Sequence, residues 1–210
     1  MFADIRNFSA YCESRPPEEA AAVLHAFFST ATRVVQAHGG IIEAFQGDAI
    51  LAVWYGEQVH TDALDSLDAP DTLGVVGASA GSAASASHQR AQTRSQAQTA
   101  TPAHLTSETH HAQRALHAAV QLLAAMHGVL PDPAPAGLEP LSLGIGVESG
   151  PAMAGSLGLA SRRTHMVMGR TVTIASRLVA MTSDLAHPIL VGEGLAAQTG
   201  AASLQSMGTF

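Results

Sequence analysis

Apolar positions along this chain recur with two different periods, and the period changes from segment to segment. Val23, Leu24, Phe27, Phe28, Ala31, Val34 and Val35 stand three and four apart, which is one stripe of an amphipathic helix. Ser14 reads as its N-cap, with Pro16 and Pro17 in the first turn and Glu18 and Glu19 at the positive end of the helix dipole. Gly39-Gly40 stops it. Residues 41–45 and 49–54 are short apolar runs joined by Gln46-Gly47-Asp48, which predicts a β-hairpin with Asp48 at its tip. Ahead of the helix, Phe2-Ala3-Asp4-Ile5 reads as the end of a strand whose beginning is missing.

Further on, Ser107 is placed to cap a second helix with Ala112, Ala115, Leu116, Ala119, Leu123 and Met126 on one face and Gly128 at its end. Residues 131–140 read as a loop and 141–147 as a strand; Gly150, Gly155 and Gly158 then break the pattern. A short strand at 166–168, with Met166 and Met168 packed in the core, leads to a helix over 171–181, a strand at 188–191 and a short helix over 193–198. Strands and helices alternate and at least one strand pair is antiparallel. That pattern predicts an α+β fold with helices layered on a mixed sheet.

Residues 72–107 interrupt this order: small, polar and repetitive, with no large apolar side chain after Val76 until Leu105. Such a stretch buries too little to offset its chain entropy, so a disordered insertion is expected over about 57–107. The flanking blocks are expected to fold together as one domain. Lys and Arg number 10 against 17 Asp and Glu, which argues against a nucleic-acid partner. Cys12 has no second cysteine to pair with, and no apolar run is long enough for a membrane span. Without a signal peptide at the start, a soluble cytoplasmic domain is expected. A first strand that begins almost at Asp4 reads as part of a longer, membrane-tethered parent.

Asp4 at a strand end and Asp48 at a hairpin tip are candidate ligands for a divalent metal, although turn-forming is the commoner role of such aspartates. The words around them are more specific. Phe2-Ala3-Asp4-Ile5-Arg6-Asn7-Phe8-Ser9, His38-Gly39-Gly40-Ile41-Ile42 and Gly47-Asp48-Ala49-Ile50-Leu51-Ala52-Val53-Trp54 resemble the class III adenylate/guanylate cyclase catalytic domain. Gly144-Ile145-Gly146-Val147, Val167-Met168-Gly169 and Ala175-Ser176-Arg177-Leu178 continue the resemblance in the family's order.

The resemblance implies a ferredoxin-like βαββαβ core that pairs head to tail, as a homodimer or with another cyclase domain, with active sites at the interface. It implies conversion of ATP or GTP to the 3′,5′-cyclic nucleotide and pyrophosphate, with two divalent ions, Mg2+ or Mn2+. By that resemblance Asp4, Asp48 and the Ile5 carbonyl hold the metals, and Ile5, Asn7, Phe8, Ser9 and Gly47 border the triphosphate. Arg177 would stabilise charge on the α-phosphate.

The rest of the site departs from the family. The position of the first purine-reading residue is Ala44, that of the second is Met166, and the ribose-orienting Asn is replaced by Thr173. Glu43 stands one residue before Ala44, and strict strand alternation would turn it to the opposite face. Arg170, where the family has Asp, reads as an exposed bystander. His104, His110, His111 and His117 lack the spacing of a metal site. Three readings stay open: the metal-binding half of a dimer completed by a partner domain, an inactive dimerising or regulatory module, and a weak homodimeric enzyme indifferent to the purine.

Overall fold

In a computed structural model, the structure describes residues 1–56, 103–131, 139–159, 162–200 and 204–209. Five strands form one sheet in the order β2-β3-β1-β4-β7, from β1 (Phe2–Arg6), β2 (Ile41–Gln46), β3 (Ala49–Val53), β4 (Ser142–Val147) and β7 (Ile189–Val191). All neighbours are antiparallel except β4 and β7. Helices α1 (Phe8–Ser14), α2 (Pro17–Ala37), α3 (Ala103–Met126), α4 (Arg170–Asp184) and α5 (Glu193–Thr199) complete the order. The segment from β1 through α2, β2, β3 and α3 to β4 is the ferredoxin-like core, with β7 added at the edge beside β4. Strands β5 (Met153–Leu159) and β6 (Arg162–Met168) make a separate two-stranded ribbon.

Strand alternation divides the sheet into two unlike faces. Ala3, Ile5, Ile50, Ala52, Leu143, Ile145 and Val147 point one way and join Phe27, Val34 and Val35 of α2 and Ala115, Ala119 and Leu122 of α3 in the main core. Phe2 and Leu51 point the other way, where they meet Ala175, Val172 and Val179 of α4. On that second face α4 packs chiefly over β1, β4 and β7 and reaches only the near side of β3 at Leu51.

Several expectations change. Ser14 caps nothing: it ends α1 and its hydroxyl donates to the Tyr11 carbonyl, while Pro16 precedes α2 without a side-chain cap. Of the insertion, residues 57–102 lie outside the described residues, as do 132–138 of the loop before β4. Helix α3 begins at Ala103, ahead of Ser107, so the last part of the expected insertion is helical. Gly155 and Gly158 do not break a strand but sit inside β5, opposite Met166 and Arg163. Met166 and Met168 are 38% and 37% exposed rather than packed in the core, because strand alternation gives the buried side of β6 to Val167 between them.

Candidate active site

The β1–β3 register puts Asp4 opposite Ala49, so Asp48 is the residue just before Asp4's cross-strand partner. The Ile5 amide donates to the Asp48 carbonyl at 3.3 Å, which fixes the hairpin tip against the end of β1. Gly47 makes that tip possible with φ 64°, a left-handed conformation that costs a side-chain-bearing residue. Asp4 alternates with Phe2 and Arg6 and therefore faces the α4 side. Burial, and then the neighbouring Asp48 charge, push its carboxyl up to about 6, against a downward pull from Arg6.

Arg6 is held by α4 and the turn beyond it. Its Nε donates to Thr182 Oγ1 at 3.2 Å, and its Nη2 donates to the His187 carbonyl at 2.9 Å. Gly144, opposite Asp4 on β4, leaves the room for this: a Cβ there would stand 2.5 Å from Thr182 Oγ1 and 3.1 Å from Arg6 Nε. With its fork engaged in these bonds, Arg6 does not neutralise the Asp4–Asp48 pair fully. Two half-buried carboxylates with an uncancelled repulsion are a donor set that fits a hard divalent cation. Among the described residues there is no cluster of three or more His, Cys, Asp or Glu, so a metal here would need backbone oxygen and substrate oxygens as well.

The loop from β1 to α1 is a single residue, Asn7, at φ 65°, ψ 12°, a left-handed conformation that Asn tolerates better than most residues. Its side chain donates to the Pro140 carbonyl at 3.2 Å. Phe8 is buried against Tyr11, whereas Ser9 is exposed at the start of α1. Thr173 and Arg177 lie one turn apart on the outer side of α4, exposed, with Ala175 turned inward. Thr173 Oγ1 donates back to the Gly169 carbonyl at 3.2 Å. The structure thus brings Asp4, Asp48 and Ile5 together and leaves Thr173 and Arg177 pointing away from the sheet.

At the other end of the open face the strand expectation for Glu43 fails, and the reason is a bulge. Ile42 pairs with Ala52 and Ala44 with Leu51, leaving Glu43 without a partner in the register. Ile42 packs with the main core, Ala44 with the α4-side cluster and Phe45 against Phe28 of α2. Glu43 and Ala44 therefore share the α4 side. The Glu43 side chain is only 6% exposed, accepts a 3.3 Å hydrogen bond from Tyr55 and is bonded to His165 Nδ1 of the ribbon. Met166, the next residue on β6, carries no polar group to this cluster.

Reading the sequence missed Arg6, Thr182, Tyr55 and His165, and it set Glu43 on the face of β2 opposite to Ala44. Only Arg6 had a signal, its two-residue spacing from Asp4. Of the histidines, His117 lies with its ring centroid 6.4 Å from that of His38, whose Nε2 is 2.6 Å from Gln121 Oε1; the side chains of His104 and His110 lie outside the described residues. Arg170 is exposed at the start of α4.

Comparison with known proteins gives these arrangements a context. The family described as "Adenylate and Guanylate cyclase catalytic domain" matches residues 91–192, a span that holds Met166, Thr173 and Arg177 but neither Asp4 nor Asp48. Adenylate cyclase 1 of Rhizobium meliloti is 27% identical over 198 residues, 94% of this chain and 23% of that protein. The chain therefore spans less than a quarter of that relative's length. In fold, it matches a bacterial light-regulated adenylyl cyclase with a TM-score of 0.63, at 20% identity over 95% of this chain and 44% of that one. The guanylate cyclase domain from Catenaria anguillulae, solved in complex with GTP, matches with a TM-score of 0.57 at 18% identity, over 96% of this chain and 80% of that one. No helix among the described residues is long and apolar enough to cross a membrane.

Proposed function

From a chain that has the fold of the class III adenylate/guanylate cyclase catalytic domain and matches that family in sequence, we propose a nucleotidyl cyclase acting on ATP or GTP. In this reaction the ribose 3′-oxygen bonds to the α-phosphorus, the bond from that phosphorus to the bridging oxygen breaks, pyrophosphate leaves, and the 3′-hydroxyl proton is lost. The observation that carries the reading is the Asp4–Asp48 pair, Asp4 inside β1 and Asp48 in the turn just ahead of its cross-strand partner on β3, with Asp4 raised by its buried setting and by Asp48.

Asp4, Asp48 and the Ile5 carbonyl would hold two divalent ions, Mg2+ or Mn2+. Such ions, when bound, favour ionisation of the attacking hydroxyl and offset the charge of the triphosphate. Gly47 and the run of Asn7, Phe8 and Ser9 flank the same corner, where the phosphates would lie. Thr173 and Arg177 face outward and would serve the site of a second domain packed head to tail, either another copy or a different cyclase domain. Arg177 would there present its fixed guanidinium fork to charge on the α-phosphate.

One observation favours a second reading, an inactive dimerising or regulatory module. The Thr173 hydroxyl is engaged with the Gly169 carbonyl, and neither Ala44 nor Met166 offers a strong hydrogen bond to a base. A cyclase assay with Mn2+, given ATP or GTP and run with and without a complementary cyclase domain, separates the two. We expect cyclic nucleotide in at least one arm, reduced about 100-fold or more by Asp4→Ala or Asp48→Ala. No product and no nucleotide binding in any arm would overturn the enzymatic reading in favour of the module.

A further inference from the structure

Away from the Asp4–Asp48 corner, the C-terminal end of α2 meets the middle of α3, and three side chains with donor atoms for a metal converge there. His38 follows the last residue of α2 and is half-buried. His117 and Gln121 stand four apart on α3, one above the other on a single face. His38 Nε2 lies 2.6 Å from Gln121 Oε1, and the His38 and His117 rings have their centroids 6.4 Å apart at 57°. The backbone holds His38 in place: its N–H donates to the Val34 and Val35 carbonyls, and its carbonyl accepts from Trp54 Nε1 at 3.0 Å.

An imidazole nitrogen binds Zn2+ at about 2.0–2.1 Å, so two rings sharing one ion have centroids roughly 5 to 6.5 Å apart. The observed separation falls at the wide end of that range, and the exposed His117 ring needs only a small rotation to close it. Because His38 ends α2, an ion here sits at the negative end of a 21-residue helix dipole. Against that, the Arg114 guanidinium, one turn before His117, lies against Gly39 and repels cations. The place therefore suits an ion held by nitrogen lone pairs rather than by charge. No third His, Cys, Asp or Glu joins the pair among the described residues, so the site is an exchangeable one and not a closed structural centre.

We propose that His38 and His117, with the Gln121 amide oxygen, form a separate site for a borderline transition ion such as Zn2+ or Ni2+, with water completing the coordination. Imidazole suits such ions, whereas the oxygens of Asp4 and Asp48 suit Mg2+ and Mn2+. On binding, the ion enters between His38 Nε2 and Gln121 Oε1, and the neutral His38 ring keeps its one proton on Nδ1. The two sites lie at opposite ends of β2. His38 stands ahead of the strand and Asp48 beyond it, with six strand residues between, on the order of 20 Å. The ion thus ties the end of α2 to α3, and its binding does not depend on the nucleotidyl cyclase reading.

Trp54, the chain's one tryptophan, reports on the site through its hydrogen bond to His38. The test titrates Ni2+, whose open d shell quenches indole fluorescence, into the full chain held in excess Mg2+ to occupy the Asp4–Asp48 corner. Wild type should show saturable quenching that Zn2+ reverses by competition and that added Mn2+ barely affects. His38→Ala and His117→Ala should each weaken the Ni2+ affinity read at Trp54 by about 10-fold or more. Gln121→Ala should weaken it by a smaller factor, and Arg114→Gln should tighten it. His25→Ala, at an exposed histidine earlier on α2, should leave it unchanged. Wild-type affinity in either folded histidine variant overturns the proposal, and each variant serves alone should the other fail to fold. Absence of saturable quenching in wild type overturns it as well, and leaves the cyclase reading standing.

Discussion

The two faces of the central sheet are made from the same strands and do different work. On one, Ala3, Ile5, Ile50, Ala52, Leu143, Ile145 and Val147 are closed over by α2 and α3 without a charged group among them. On the other, Phe2, Asp4 and Arg6 of β1 share the surface with Gly144 and Gly146 of β4, and α4 covers only part of it. Residues adjacent in sequence thus fall to opposite tasks: Ile5 supports the fold, while Asp4 and Arg6 on either side of it form the polar corner. The covered face should therefore dominate stability. Phe27→Ala, at a fully buried site on α2, should cost about 3–5 kcal/mol in urea denaturation, the largest effect we anticipate. Phe27 does not reach the α4 side, so protein that remains folded should keep its affinity for Mn2+.

Gly146→Ala tests the opposite face. A Cβ at this position would stand 2.3 Å from the Ala175 carbonyl oxygen and 2.5 Å from the Val179 nitrogen, both backbone atoms of α4 that no rotamer change can remove. The helix would have to shift away from β4, at about 1–3 kcal/mol. Because α4 carries Thr173, Arg177 and the Thr182 that holds Arg6, nucleotide turnover should fall more steeply than stability. A variant with normal turnover and lowered stability would mean that α4 is simple packing.

The contrast between the faces also explains what could be read from the sequence. The stripe from Val23 to Val35 was legible because a helix lying on a core must repeat its apolar positions at helical spacing. The hairpin at Gly47 was legible because only a few residue types fit its turn. Strand β5 was not. Met153 and Leu157 are exposed, so Met153–Leu159 shows no alternation of apolar and polar positions, and its glycines look like breaks. Glu43 was misassigned because period-two counting presumes an unbroken register, and nothing in Ile42-Glu43-Ala44 announces a bulge. The Asp4–Asp48 pairing was suggested by a family likeness more than by spacing, since two aspartates at turns carry little information until β1 and β3 are seen side by side.

The smallest effect is also the one of opposite sign. Asp4 has its carboxyl raised to about 6 in the folded chain, first by burial and then by Asp48, above the ordinary value of 3.8. An acid raised on folding binds its proton more tightly in the native state, so stability falls as pH rises from about 4 to about 6, and the penalty is fully present above that window. Asp4→Asn removes the ionisation. Without metal it should be more stable than wild type at pH 7.5 and equal to it at pH 4, where the wild-type carboxyl is protonated in the folded state. Asp4 is only half-buried, so solvent screening keeps the gain small: a few degrees in Tm, at about 2–4 °C per kcal/mol for a chain of this size. Added Mn2+ should reverse the order, stabilising wild type and not the variant. If Asp4→Asn were less stable at pH 7.5 without metal, the carboxylate would be part of the supporting structure, and the division of labour between the two faces would fail at the residue on which it most depends.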